Sequence, residues 1–249
     1  KNSNPENPLA KKKTKGEKRS GYFFESARPF PSLVFILPML LAHEGAILVL
    51  GTGAVHNGVA LWLQNVLSGI GLGQYLLLPV VTCAILIGWH YVQRHKWRFS
   101  PRHLFLMAGE AIAWALLLWA VYRGYAGLVG VAESSQFQVA ELFGYFGAGI
   151  YEELLFRVAI LSGIAAIISA AGADRRASLV TAILVSAALF ACVHYSLFIP
   201  GGRPFSWAGI AFHLLCGIYL GTLFVFRGFG ITAAAHALFN IAVVALRFA

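Results

Sequence analysis

The sequence predicts an all-α fold: a polytopic bundle of about seven to eight transmembrane helices. Three observations carry this expectation. Of 249 residues, 59% are hydrophobic and only 12% charged, about half the charge that a soluble domain uses to cover a water-facing surface. The mean hydropathy is +0.73. The apolar residues also gather into stretches near the roughly 20 residues that a helix needs to cross a hydrocarbon core.

The first 31 residues hold Lys11, Lys12, Lys13, Lys15, Lys18 and Arg19, with prolines at positions 5, 8, 29 and 31. Without apolar periodicity, residues 1–31 read as a flexible basic cytoplasmic tail. The basic stretch is long and the apolar run after it is span-length, which argues against a secretory signal. Apolar stretches follow at 33–55, 75–93, 103–122, 137–171, 179–198, 207–226 and 231–248. Residues 32–136 form an N-terminal helical region. Within it, Val59, Leu63, Val66, Leu67 and Ile70 fall at helical spacing and predict an amphipathic interfacial helix near 57–72. Residues 137–249 form the region that carries the chemistry. The stretch 137–171 is too long for one straight crossing, so a lead-in helix or a break near Gly144, Gly147 and Gly149 is expected.

The net charge of +9 is a matter of topology and gives no reason to expect nucleic acid. Beyond the tail, Arg94, Lys96, Arg98 and Arg102, then Arg175 and Arg176, then Arg227 fall on one side of the alternation, against Arg123, Arg203 and Arg247 on the other. This asymmetry predicts a cytoplasmic N-terminus in a bacterial inner membrane, with membrane lipids as surroundings. Cys83, Cys192 and Cys216 sit in apolar runs without CxxC spacing, so neither a disulfide framework nor a thiolate zinc site is implied.

Ionisable groups inside spans cost about 2.5–3.5 kcal/mol each on insertion scales, so each marks a function or a buried pair. The densest group is Tyr151-Glu152-Glu153-Leu154-Leu155-Phe156-Arg157. On a helix Glu153 and Arg157 are i and i+4 and can pair, whereas Glu152 is turned about 100° away. A carboxylate without a helix-local counter-charge is the kind of group that serves as a general base. His194 follows in a later span, and His236 and Asn240 share a face of the last one, beside Ala233, Ala234, Ala235 and Ala237, which let backbones approach closely. The set fits hydrolysis by a glutamate-activated water with His and Asn donors to an oxyanion. It fits a divalent metal such as zinc held by Glu152, His194 and His236 equally well, so a metal-dependent hydrolase or a transpeptidase on the same site is the enzymatic alternative. An interhelical ionic network and a transport or immunity-type binding role are the non-enzymatic alternatives. The lack of visible inverted repeats counts against a transporter. His43, Glu44 and Glu110 are lesser in-span candidates, for which structural bonding is the expectation, and His213 reads as ordinary.

Glu152-Glu153-xxx-Arg157, Phe190-xxx-His194 and His236-xxx-Asn240, in this order on successive apolar segments, resemble the CPBP family of intramembrane proteases. That family includes the type II CAAX prenyl endopeptidases and bacterial abortive-infection and bacteriocin-processing relatives. The resemblance runs from about residue 142 to the end. It implies an intramembrane endopeptidase with a protein or peptide substrate, lipid-modified in some members. Glu152 would be the general base, with Glu153 and Arg157 holding the geometry. His194 would assist at the water, and His236 with Asn240 would bind the oxyanion. The family has been read both as metalloprotease and as metal-free glutamate protease. If span five enters from the cytoplasm near residue 179, His194 lies about 22 Å along it at about 1.5 Å per residue. A site in that far half of the bilayer suits exported or membrane-anchored substrates.

Overall fold

A computed structural model describes residues 21–51, 77–129, 139–195 and 204–246. Among them the chain forms helices α1 (Tyr22–Ser26), α2 (Pro29–Leu50), α3 (Leu77–Val92), α4 (Pro101–Val129), α5 (Val139–Ala170), α6 (Arg175–Cys192) and α7 (Trp207–Ala245). The expected interfacial helix near 57–72 and the tail's first 20 residues lie outside the described residues.

Local sequence sets the ends of these elements. Prolines open α2 and α4, where a missing N–H costs nothing. The Asp174 side chain caps α6 by accepting from the backbone N–H of Arg176 at 2.7 Å and of Ala177 at 3.1 Å, and Ser206 caps α7 through the N–H of Gly209 at 3.2 Å. Gly51, at φ 83°, ends α2 in a conformation that side chains resist.

Five of the helices, α2, α4, α5, α6 and α7, are long and apolar enough to cross a membrane, and α3 is a shorter apolar helix. Large apolar side chains ring the outside, among them Leu41, Leu48, Val49, Phe105, Ile167 and Phe226. In water that surface would be an aggregation hazard, whereas in lipid it is the expected coat. The protein is an integral membrane protein.

Three features differ from the sequence expectation. Residues 22–31 do not belong to a tail: α1 and the first turn of α2 are packed, with Ser26, Pro29 and Pro31 buried. The stretch 137–171 is not broken at its glycines. Instead α5 runs through and changes its winding, with π-helical turns over Ala148–Glu152 and Leu154–Leu161. Such wide turns are uncommon and concentrate at functional sites. Last, Arg227 is not a loop charge. It is buried and ion-paired with Glu110 of α4, because the two expected spans of α7 meet in a single-residue reversal at Gly228 (φ 74°, ψ −178°). The halves fold back on each other, with the rings of Phe212 and Phe239 at 6.3 Å, far closer than the roughly 40 Å that 27 residues of straight helix would span.

Glycine is required at 228, since a Cβ there would run into the backbone of Ala27. Close approach also governs the centre. A Cβ at Gly149 would meet the carbonyl oxygen of Ala233 and the Cβ of Ala237, and one at Gly217 would meet Ala187. These contacts bring α5, α6 and α7 together without intervening side chains. Two further bonds tie the bundle: Ser186 of α6 donates to the carbonyl of Phe156 on α5 at 2.7 Å, and Tyr219 of α7 to that of Trp114 on α4 at 2.8 Å.

Candidate active site

Where α5, α6 and the two arms of α7 meet, they enclose a cavity of about 210 Å³. Glu152, His194, His236 and Asn240 line it, together with Tyr145, Phe190, Phe212 and His213. The two remaining residues expected at the site, Glu153 and Arg157, lie behind the wall, both fully buried.

Packing and charge explain the arrangement. Arg157 Nε stands 3.0 Å from Glu153 Oε2, the expected i, i+4 pair. The guanidinium also lies over the Phe190 ring at 4.7 Å, so α5 and α6 share one buried cation through a cation–π contact. The other Glu153 oxygen, Oε1, is 2.8 Å from His236 Nδ1. One carboxylate thus ties an arginine on its own helix to a histidine on α7.

Glu152 has its partners on other helices. Its Oε2 lies 3.8 Å from His194 Nε2 and 3.9 Å from His236 Nε2. The hydrogen positions on both rings follow from their other neighbours. His194 Nδ1 is 2.7 Å from the carbonyl of Phe190; a carbonyl only accepts, so Nδ1 carries the hydrogen. His236 Nδ1 donates to the Glu153 carboxylate by the same logic. In their neutral forms both rings therefore turn an Nε2 lone pair toward Glu152. For His236 to donate into the cavity it must be imidazolium, with Glu153 as its counter-charge.

A carboxylate and two imidazole nitrogens are donors that zinc accepts. Around a tetrahedral ion with bonds near 2.0–2.1 Å, ligand atoms stand about 3.3 Å apart, closer than the 3.8 and 3.9 Å found here. Among the described residues no group of three or more His, Cys, Asp or Glu side chains has an arrangement that could hold a metal ion.

His213 is a residue of this cavity that sequence reasoning passed over. Its Nδ1 donates to the carbonyl of Gly209 at 2.7 Å, and its ring packs tilted against that of His194 with centroids 4.3 Å apart. The available signal was a histidine inside a span. What hid it was the reversal at Gly228, which carries His213 to the site from 23 residues before His236. Of the lesser candidates, Glu44 accepts a hydrogen bond from the hydroxyl of Tyr151, next to Glu152. His43 Nδ1 donates to the carbonyl of Phe143 at 2.7 Å. The α2 pair therefore grips α5 on either side of the point where its winding changes. Glu110 bonds Arg227, Tyr22 and Trp114 away from the cavity.

No curated protein and no solved structure matches the chain. Residues 135–242 match the family model of the type II CAAX prenyl endopeptidase Rce1-like proteins. The matched segment holds Glu152, Glu153, Arg157, His194, His236 and Asn240, and over it the chain is similar to the Rce1-like type II CAAX prenyl endopeptidase family.

Proposed function

We propose that the chain is an intramembrane endopeptidase that hydrolyses a peptide bond of a membrane-associated or exported protein by a glutamate-activated water. The observation that supports it most is the convergence of His194 Nε2 and His236 Nε2 on one oxygen of Glu152. Separations of 3.8 and 3.9 Å leave no direct hydrogen bond of good geometry but admit a bridging water. Glu152 takes a proton from that water, and the hydroxide attacks the peptide carbonyl. The negative charge forming on the carbonyl oxygen is met by His236 as imidazolium and by the Asn240 amide. When the C–N bond breaks, Glu152 returns its proton to the leaving amine. His194, held at Nδ1 by Phe190, orients the water through Nε2. Glu153 and Arg157 fix His236 and touch no substrate.

The cavity, at about 210 Å³, is smaller than the roughly 300–1,000 Å³ of sites that engulf a ligand. It suits the scissile peptide unit of a chain whose remainder lies outside. We read the topology as seven crossings, with the two arms of α7 counted separately and the N-terminus cytoplasmic. His194 follows the end of α6, which begins at Arg175 on the basic side, so the site faces the opposite half of the bilayer.

The test compares membranes that carry the wild-type chain and Glu152→Gln, reading new protein C-termini by mass spectrometry. Cleavage should fall by about 10²–10⁴-fold while substrate is still captured. Unchanged cleavage would sink the assignment. A chelator arm addresses the metal reading: activity should survive complete chelation, and its loss with recovery on adding zinc would replace this mechanism by a metal-assisted one.

A further inference from the structure

Among the described residues, the loop between α3 and α4 is a second concentration of polar groups, and the chemistry above does not use it. It reads Gln93-Arg94-His95-Lys96-Trp97-Arg98-Phe99-Ser100, and no Asp or Glu occurs between Gly88 and Gly109. Tyr91, Val92, Arg94, His95 and Trp97 line an open cavity of about 590 Å³. Arg94 holds a left-handed backbone, φ 53°, which non-glycine residues seldom adopt.

A second element packs against this loop. The Phe24 ring of α1 meets His95 at 5.6 Å, and the Arg28 guanidinium lies over Phe24 at 4.6 Å. Positive charge is thereby crowded. The His95 imidazole is held below its ordinary range by burial and then by the charge of Arg28. Glu25, the acid nearest in sequence, is engaged with His103 at 3.2 Å. Exposed Trp97, Phe99 and Tyr91 accompany the cations, a composition that sits at the headgroup level of a bilayer. A basic cavity at the end of a span, flanked by aromatics and without acids of its own, calls for an anion that the membrane itself supplies.

We propose that the cavity formed by Arg94, His95 and Trp97, with Arg28 behind it, binds the phosphate of an anionic lipid headgroup. The competing explanation is that these cations only set topology, in which case any basic residues on the same side would serve equally. Arg175 and Arg176, exposed at the start of α6, supply the control.

The delipidated full chain in neutral detergent is titrated with dioleoylphosphatidylglycerol or dioleoylphosphatidylcholine, and retained lipid is counted by native mass spectrometry. The wild-type chain should retain one phosphatidylglycerol in preference to phosphatidylcholine. The pair Arg28→Gln and Arg94→Gln should weaken this by on the order of thirtyfold, from about 1 kcal/mol for each cation near a lipid surface. The charge-matched pair Arg175→Gln and Arg176→Gln should leave it unchanged. Equal loss in both pairs, or equal retention of the two lipids, would overturn the proposal. Displacement of the lipid by millimolar inorganic phosphate would overturn its lipid part and leave a free-phosphate site.

Discussion

Glu153 Oε1 and His236 Nδ1 are 2.8 Å apart, and the other oxygen of the same carboxylate faces the Arg157 guanidinium at 3.0 Å. A single buried group thereby sets the tautomer of a histidine across a helix boundary while neutralising an arginine. In Glu153→Gln the neutral amide no longer supplies the negative charge that supports His236 as an imidazolium donor, and Arg157 loses its counter-charge. Turnover should fall by about 10²–10⁴-fold, and stability by about 3–5 kcal/mol, the usual cost of orphaning one buried charge. Kinetics on the detergent-solubilised protein alongside thermal unfolding checks both. If turnover survives while stability drops, Glu153 holds the fold and not the site.

The approach of α5 to α7 at Gly149 predicts a steric lesion. In Gly149→Ala the new methyl meets a backbone oxygen of Ala233, which cannot swing aside. Overpacking of this kind costs about 1–3 kcal/mol. It also moves Glu152 away from His236, so activity should fall more steeply than the unfolding temperature does. Gly163→Ala, at a position with nothing within 4 Å, should be silent in both assays.

The pair Glu110–Arg227 should behave as structure. Both nitrogens of Arg227 that face Glu110 are engaged, and the guanidinium also reaches the Phe23 carbonyl at 3.1 Å and the Ser26 hydroxyl at 2.9 Å. Arg227→Met leaves Glu110 without its cation and should lower stability by about 3 kcal/mol. Adding Glu110→Leu should recover much of that loss. A double-mutant cycle in thermal unfolding reads the coupling, and strict additivity would contradict it.

Tyr22, outside the spans, gives the molecule an alkaline limit. Burial, and then its hydrogen bond to Glu110 at 2.6 Å, push its hydroxyl up from 10.0 to about 12. A group whose pKa is raised on folding contributes fully below its unfolded value, so this contribution is present below pH 10 and fades as pH rises toward 12. The stability gap between wild type and Tyr22→Phe should therefore shrink over that window. A gap that stays constant would mean that the hydroxyl titrates normally.

Much of the site was legible because its residues obey rules that short sequences display. The Glu153–Arg157 pair follows from i, i+4 spacing, and Glu152, His194, His236 and Asn240 stand out because polar groups inside spans are costly. Proline, Asp174 and Ser206 likewise announce where helices begin. What escaped depends on long-range geometry. Nothing in the composition of Ala148–Leu161 separates π from α winding, because the two use the same residues and differ in one step of hydrogen-bond register. Arg227 looked like a loop cation because its partner is 117 residues away in Glu110. His213 joined the cavity only because the chain doubles back.

That doubling back has a mechanical consequence. His213 and His236 sit on opposite arms of one hairpin, so their separation is set by the turn at Gly228. The carbonyl and Cα of Ala27 fill the space beside that glycine, and Arg227 next to it is roped to Phe23 and Ser26. The turn that joins the two walls of the candidate site is thus wedged by a short N-terminal helix outside the matched segment, so a part of the chain that lines none of the cavity constrains its shape.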